Sequence, residues 1–137
     1  MIHSETELRE ILNRALDALE EGKRSHIYRR HPQTSRRMAY HLDRDLERLS
    51  TCCRDFPVTK EQTYWEIITE CLEAALEDPL GTYKCPQEPI CSHDEALGVE
   101  MFAFVVELPD FTKPIYTKFC LVELEDGALY ASIRCHT

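Results

Sequence analysis

Apolar residues repeat every three or four positions near the start of the chain, which predicts an amphipathic helix. Its apolar face comprises Leu8, Ile11, Leu12, Ala15, Leu16 and Leu19. Ser4 followed by Glu7 has the pattern of a capping box, and Gly22 supplies a stop signal. A first helix is therefore predicted between Ser4 and Gly22.

Two more helices are predicted before residue 80. The apolar face of the second, beginning near Thr34 or Ser35, contains Met38, Leu42, Leu46 and Leu49. The sequence at 55–57, Asp-Phe-Pro, ends that pattern. Thr59 with Gln62 forms another capping box and opens the third helix. The apolar face of the third helix contains Trp65, Ile68, Leu72, Ala75 and Leu76, and Asp78-Pro79 ends it.

The pattern changes from helical to alternating after residue 98. Residues 99–108, 115–124 and 128–135 predict three strands of an antiparallel meander. Residues 80–98 contain four Gly or Pro residues and no periodicity, which predicts a long loop. The expected fold is a single α+β domain over residues 1–137. Three helices within residues 1–80 pack on a small C-terminal antiparallel sheet within residues 99–136.

Composition agrees with one folded domain. Apolar residues make up 43% of the 137 positions, which is enough for a packed core. The longest apolar run, around residues 101–106, is too short to cross a bilayer, so no membrane contact is expected. The first residues lack the pattern of a signal peptide, and seven irregularly spaced cysteines favour reduced thiols. These features predict a cytoplasmic protein.

Charge is unevenly distributed along the chain. The net charge of −9 disfavours general attraction to nucleic acid. Residues 51–100 carry three basic and eleven acidic side chains, whereas residues 23–37 carry no acidic one. The basic residues of this second segment are Lys23, Arg24, Arg29, Arg30, Arg36 and Arg37. Three interpretations are open. These residues bind an RNA backbone, they form a docking surface for an acidic partner, or they belong to a solvated loop.

The register of the last hairpin decides which side chains become neighbours. A two-residue turn would place Lys118 opposite Cys135, whereas a three-residue loop places it opposite Arg134. We favour the second register because it separates an apolar face from a more polar one. The apolar face would hold Phe119, Leu121, Ala131, Ile133 and Cys135. The other would hold Tyr116, Lys118, Cys120, Val122, Tyr130, Ser132, Arg134 and His136.

The favoured register brings together residue types that can cleave RNA. Lys118 and Arg134 would offer donors to a phosphate, and Tyr116 with His136 would move protons. The 2′-hydroxyl of RNA can then attack the adjacent phosphate without a metal ion. The alternative interpretation is that these cations protect a solvated sheet edge.

Two short segments resemble the ends of RelE/MqsR-type toxins, the messenger-RNA endonucleases of type II toxin–antitoxin systems. Residues 114–119 (PIYTKF) resemble an I-Y-x-K strand, and residues 129–136 (LYASIRCH) resemble a strand ending near S-F-H. Residues 80–84 and 101–104 extend the resemblance, so that it covers roughly residues 60–136.

This resemblance implies a RelE/MqsR-like fold, an endoribonuclease acting on free or ribosome-bound messenger RNA, and an antitoxin partner. It also implies that Tyr116, Lys118, Arg134 and His136 lie in the cleft, with Tyr83 and Lys84 as accessory RNA-binding residues. The rival hypothesis is a non-catalytic interaction module that uses the same sheet and basic segment to hold a protein or RNA.

The cysteines do not form a typical zinc site. The candidate ligands are Cys85, Cys91 and His93, with Cys135 and His136 elsewhere in the chain, but Cys85 and Cys91 are separated by five residues, outside the usual spacing of paired ligands. No metal or cofactor is therefore predicted. Cys71 is expected in the core, and the pair Cys52-Cys53 is expected to pack rather than carry redox chemistry.

Overall fold

The computed structural model describes residues 3–25, 28–30, 33–34, 37–39, 42–54, 61–85, 98–123 and 129–136. Its helices are α1 (Glu5–Glu20), α2 (Leu42–Cys52), α3 (Glu61–Glu77) and α4 (Pro79–Thr82). Its strands are β1 (Arg24–Ser25), β2 (Tyr28–Arg30), β3 (Arg37–Ala39), β4 (Tyr83–Lys84), β5 (Phe102–Val106), β6 (Ile115–Glu123) and β7 (Leu129–His136). The predicted α+β class is confirmed, with the main helices N-terminal and the meander C-terminal.

Helix α1 begins and ends where its local sequence indicates. The backbone N–H of Glu7 donates to the Ser4 hydroxyl, and the backbone N–H of Ser4 donates to the Glu7 carboxylate, both at 3.2 Å. Gly22 adopts a φ of 75°, a left-handed conformation that glycine tolerates at a helix end. The buried face of α1 contains Leu8, Leu12, Ala15, Ala18 and Leu19.

The sheet is larger than the sequence predicts. Five strands lie in the order β1-β7-β6-β5-β4, and β5, β6 and β7 form the predicted antiparallel meander. Strand β4 adds to one edge in antiparallel orientation, whereas β1 pairs with β7 in parallel. The predicted C-terminal antiparallel meander is therefore confirmed, and β1 extends the sheet in parallel orientation.

The hydrophobic core lies between the helices and one face of this sheet. Helices α1 and α3 pack on each other, and α2 and α3 both contact the sheet. Phe104 on β5 and Phe119 on β6 stack with ring centroids 6.1 Å apart, and both are fully buried. Ile68 and Leu72 of α3 belong to the same core. Across the described ranges, no helix is long and apolar enough to span a membrane.

The region predicted as a basic loop and the start of helix two folds differently. Tyr28–Arg30 and Arg37–Ala39 pair as a two-stranded antiparallel hairpin, and α2 begins only at Leu42. Met38 therefore lies in β3 and not on the helical face, although Leu49 does enter the core. The four-residue spacing between Met38 and Leu42 suits a helix, but a short apolar pattern does not distinguish a helix from a strand.

The segment predicted as a loop over residues 80–98 begins with regular structure. The backbone N–H of Gly81 donates to the Asp78 carboxylate at 3.2 Å and caps the one-turn helix α4. Tyr83 and Lys84 then pair with β5. Elements this short bury too few side chains to leave a periodic pattern. Residues 86–97 and the expected cap at Thr59 lie outside the described residues.

Candidate functional site

Strands β6 and β7 pair in the register that the sequence analysis favours. Lys118 lies opposite Arg134, and Tyr116 lies opposite His136. The alternative register, with Lys118 opposite Cys135, is excluded because Cys135 pairs with Thr117. Two cationic residues and two proton-carrying residues therefore occupy two rows of one strand pair, on either side of the row of Thr117 and Cys135.

Burial shows which face of the sheet these rows occupy. Ile115, Thr117 and Phe119 are fully buried beneath the helices, so Tyr116 and Lys118 lie on the opposite face, where both are half-buried. Alternation along β7 gives the same assignment, since Cys135 is fully buried in the core. Arg134 and His136 thus share the face of Lys118 and Tyr116.

This face is not uniformly polar. Cys120 is fully buried and packs with Met101, together with the partly buried Val99 and Val122. Cys120 lies on the face predicted for it, but its environment there is apolar. The candidate site therefore occupies the end of the face that carries Tyr116 and Lys118, next to this small apolar cluster.

The two accessory residues of β4 lie on different faces. Lys84 pairs with Ala103, which pairs in turn with Lys118, so Lys84 shares the face of the candidate site. Tyr83 pairs with Phe104 and packs edge-on against its ring at 5.6 Å, on the helix side. Burial, with the nearby Cys85, raises the pKa of Tyr83. Tyr83 thus lies on the opposite face of the sheet from Lys84.

The first two residues of the basic segment, Lys23 and Arg24, lie beside the helices. Lys23 forms an ion pair with Glu21 at 3.2 Å. Arg24 lies over the Trp65 ring at 5.6 Å and donates to the carbonyl of Leu19 at 3.1 Å, which anchors the β1 edge to the helices. Arg29, Arg30 and Arg37 belong to the β2–β3 hairpin, where Arg30 lies opposite Arg37, and Arg36 lies outside the described residues.

A buried polar contact, not anticipated from the sequence, holds the last strand in place. The Tyr64 hydroxyl accepts a hydrogen bond from the backbone N–H of Cys135 at 2.7 Å and donates to Asp45 at 3.2 Å. Tyr64 is fully buried and Asp45 is 1% exposed. The contact fixes β7 at the residue between Arg134 and His136. No local pattern signals it, because its three residues come from α2, α3 and β7.

The thiols of the core are placed for packing. The sulfur atoms of Cys71 and Cys135 are 4.0 Å apart, and both residues are fully buried. Burial, reinforced by the hydrogen bond with Cys71, raises the pKa of Cys135 well above its usual value. A neutral buried thiol is a poor nucleophile. The expectation that Cys71 lies in the core is confirmed.

Metal ligands do not converge in the described part of the chain, where no group of three suitable side chains lies close together. Cys85 is exposed there, while Cys91 and His93 lie outside the described residues.

His3 forms a second cluster that the sequence analysis missed. Its Nε2 atom lies 2.6 Å from the Glu100 carboxylate, and its Nδ1 atom lies 3.5 Å from Glu7. The ring also packs on Phe102 and Tyr83, with centroids 5.3 and 5.9 Å apart. The cluster joins the start of α1 to the helix side of the sheet, so it serves as an anchor on the face away from Lys118.

A surface groove of about 370 Å³ lies at the end of the sheet, beside the β5–β6 connection. Arg54, Phe111 and Lys113 contribute to its lining, and the Arg54 side chain donates to the carbonyl of Pro109 at 3.1 Å. Among its described lining residues, neither Tyr116 nor Lys118 is present.

Comparison of the chain with protein-family models, with curated proteins and with solved structures found no match in any of the three.

Proposed function

We propose that this protein is a metal-independent RNA endonuclease of the toxin–antitoxin type. The observation that carries the proposal is the pairing of Lys118 with Arg134 beside the pairing of Tyr116 with His136. All four positions lie on the sheet face opposite the main helices. The resemblance of the last two strands to RelE/MqsR-type toxins supports the same reading.

In the proposed reaction the 2′-oxygen of one nucleotide attacks the adjacent phosphorus, and the bond to the 5′-oxygen breaks. His136 takes the proton of the 2′-hydroxyl, since a neutral imidazole is a competent base near neutral pH. Tyr116 gives its proton to the departing 5′-oxygen. The products are a 2′,3′-cyclic phosphate and a 5′-hydroxyl.

Lys118 and Arg134 stabilise the negative charge that builds on the phosphate oxygens. An ammonium group acts as a point charge, and a guanidinium group offers two parallel N–H donors. Hydrogen-bond donors directed at a developing negative charge account for a large part of enzymatic rate enhancement. A single donor of this kind contributes about 10²–10³-fold in rate. The reaction so written uses no metal ion.

The proposal includes a substrate, a cellular compartment and a protein partner. The substrate is messenger RNA, free or bound to a ribosome, in the cytoplasm. An antitoxin protein would neutralise the enzyme by covering the face of Lys118 and Arg134.

A second candidate function is a non-catalytic interaction module, and the charge distribution favours it. The exposed side of α3 carries Glu66, Glu70, Glu73 and Glu77. Partial burial, followed by repulsion from Asp110, Glu73 and Glu66, raises the pKa of Glu70. Such a face would suit a basic partner, and it would repel RNA from that side of the molecule.

The deciding experiment uses single-stranded RNA labelled with a fluorophore and a quencher, in buffer containing EDTA. The wild-type protein should cleave it and leave 2′,3′-cyclic phosphate ends. Lys118→Ala and Arg134→Ala should each lower the rate by about 10²–10³-fold. Lys113→Ala is the matched control, since Lys113 is an exposed lysine in the β5–β6 connection.

A substrate with a single 2′-deoxy nucleotide should resist cleavage at that position only. Failure of the wild type to cut RNA, free or on ribosomes, would reject the enzyme and favour the interaction module. Cleavage that survives both substitutions would show that the nuclease is not built on these strands.

A further inference from the structure

Three cationic residues form one row across four strands of the sheet. Lys84 on β4 pairs with Ala103 on β5, Ala103 pairs with Lys118 on β6, and Lys118 pairs with Arg134 on β7. Residues paired in this way lie on the same face of a sheet. The row therefore runs at right angles to the strands, on the face that carries the candidate site.

The spacing within the row follows from sheet geometry. Neighbouring strands lie about 4.8 Å apart, so Lys118 and Arg134 are adjacent, and Lys84 is about 10 Å from Lys118 along the row. Ala103, between the two lysines, carries only a methyl group and is fully buried. No large side chain of β5 therefore separates the two lysines.

The backbone of Lys84 is held firmly on both sides. Asp78 caps helix α4 immediately before β4, through the backbone N–H of Gly81. Tyr83 packs on Phe104 and on His3 from the helix side. Alternation then directs Lys84 to the other face, where it is exposed.

We propose that Lys84 forms a second phosphate subsite, and that single-stranded RNA crosses the strands at right angles along this row. The inference rests on the proposed function for the identity of the first subsite, at Lys118 and Arg134. The scissile phosphate lies at that first subsite, beside Tyr116 and His136. Lys84 then holds a phosphate of a neighbouring nucleotide. Contacts of this kind track the backbone and read no sequence.

A lysine at a sheet edge has a simpler role, which is to discourage pairing with another chain. The two roles predict different behaviour toward RNA. An edge-protecting lysine contributes nothing to RNA affinity. A lysine that binds a phosphate releases a counterion, so the affinity for RNA falls more steeply as the salt concentration rises. For single strands, this effect is a slope of about 0.7 per phosphate in a plot of log affinity against log salt concentration.

The test measures binding of 2′-O-methyl RNA, which has no attacking hydroxyl and is not cleaved. Fluorescence anisotropy of a labelled hexanucleotide and of a dinucleotide gives the affinities of the wild type, Lys84→Ala and Lys113→Ala over a range of salt concentrations. Lys84→Ala should lower the salt slope for the hexanucleotide by about 0.7. It should leave the dinucleotide, which has one internal phosphate, unchanged, and Lys113→Ala should match the wild type for both.

The companion measurement is cleavage of ordinary RNA of the same two lengths. Lys84→Ala should raise KM for the hexanucleotide without changing kcat, and should leave the dinucleotide unaffected. An unchanged slope and KM in Lys84→Ala, with active wild-type enzyme, would overturn the subsite and leave the nuclease standing. A lowered slope in a protein that never cleaves would support the subsite and reject the nuclease. Absence of hexanucleotide binding by the wild type would overturn the subsite.

Discussion

The hydroxyl of Tyr64 accepts a hydrogen bond from the backbone N–H of Cys135 at 2.7 Å, across 71 positions of sequence. Within the described residues, strand β1 pairs with β7 at Ala131 and Ser132, three positions before Cys135. The Tyr64 hydroxyl thus satisfies the buried backbone N–H of Cys135, and it donates a second hydrogen bond to the Asp45 carboxylate. The strand that carries Arg134 and His136 is thereby held against the helices.

Replacement of Tyr64 by Phe should destabilise the protein more than an ordinary Tyr→Phe change. The substitution leaves the Cys135 N–H without its acceptor and removes a donor from Asp45, at a cost of about 1–3 kcal/mol for a buried group. Urea denaturation gives the free energy of unfolding. Tyr83→Phe is the control and should cost less than about 0.5 kcal/mol, since the described contacts of Tyr83 are made by its ring. Equal losses in the two variants would contradict this role.

Replacement of Ser4 by Ala should remove the cap of α1. The Glu7 N–H loses its acceptor, which costs about 1 kcal/mol at neutral pH. Ser4→Asp keeps an acceptor and should retain most of that stability. Chemical denaturation of the three proteins at pH 7 gives the comparison, and a stability of Ser4→Ala equal to that of the wild type would contradict the cap.

The same cap predicts a pH dependence. The Ser4 backbone N–H, followed by its hydroxyl, lowers the pKa of Glu7 in the folded protein. The Glu7 contribution is therefore present above the unfolded pKa and is lost as the pH falls through the folded pKa. Glu7→Gln should reduce the loss of stability between pH 7 and pH 3, as measured by denaturation at both values. An unchanged pH profile in Glu7→Gln would count against the contribution of the carboxylate.

The cysteines should react with iodoacetamide in an order set by burial. Cys85 is exposed and should be labelled in the native protein, whereas Cys71 and Cys135 should be labelled only in urea. Only a thiolate reacts, and burial raises the pKa of Cys135 well above its usual value. That shift also predicts a loss of stability in alkaline solution, above about pH 8.5, where the unfolded thiol ionises. Mass spectrometry of peptides locates the labels, and early modification of Cys135 in the native state would show that strand β7 opens readily.

The contact between His3 and Glu100 should stabilise the protein as a pair. Their side chains are 12% and 24% exposed, and a hydrogen bond involving a charged group contributes about 1.5–3 kcal/mol when well formed. A double-mutant cycle of His3→Ala and Glu100→Ala should give a coupling energy of about 1 kcal/mol. Additive effects of the two substitutions would mean that His3 stabilises the protein through ring packing on Phe102 and Tyr83 and not through its contact with Glu100.

Local sequence was sufficient for the parts of the fold that local physics controls. The cap and stop of α1 depend on residues within a few positions of each other, and α3 carries enough apolar residues at helical spacing to be recognised. The register of β6 and β7 was also predicted from the sequence, because a shift of one residue would have placed Lys118 opposite Cys135 and mixed the two faces. The rows of the candidate site follow from that register.

Tertiary structure alone decided the features that join distant segments. The hairpin of β2 and β3, the parallel strand β1 and the short strand β4 are two or three residues long, and backbone pairing rather than a side-chain pattern defines them. The same holds for Lys84, which joins the cationic row only because β4 pairs with β5. The hydrogen bonds of Tyr64 with Cys135 and of His3 with Glu100 join residues far apart in the sequence. Packing of the helices on the sheet brings each pair together. A periodic pattern records which face of an element is buried, but it does not record which distant partner covers that face.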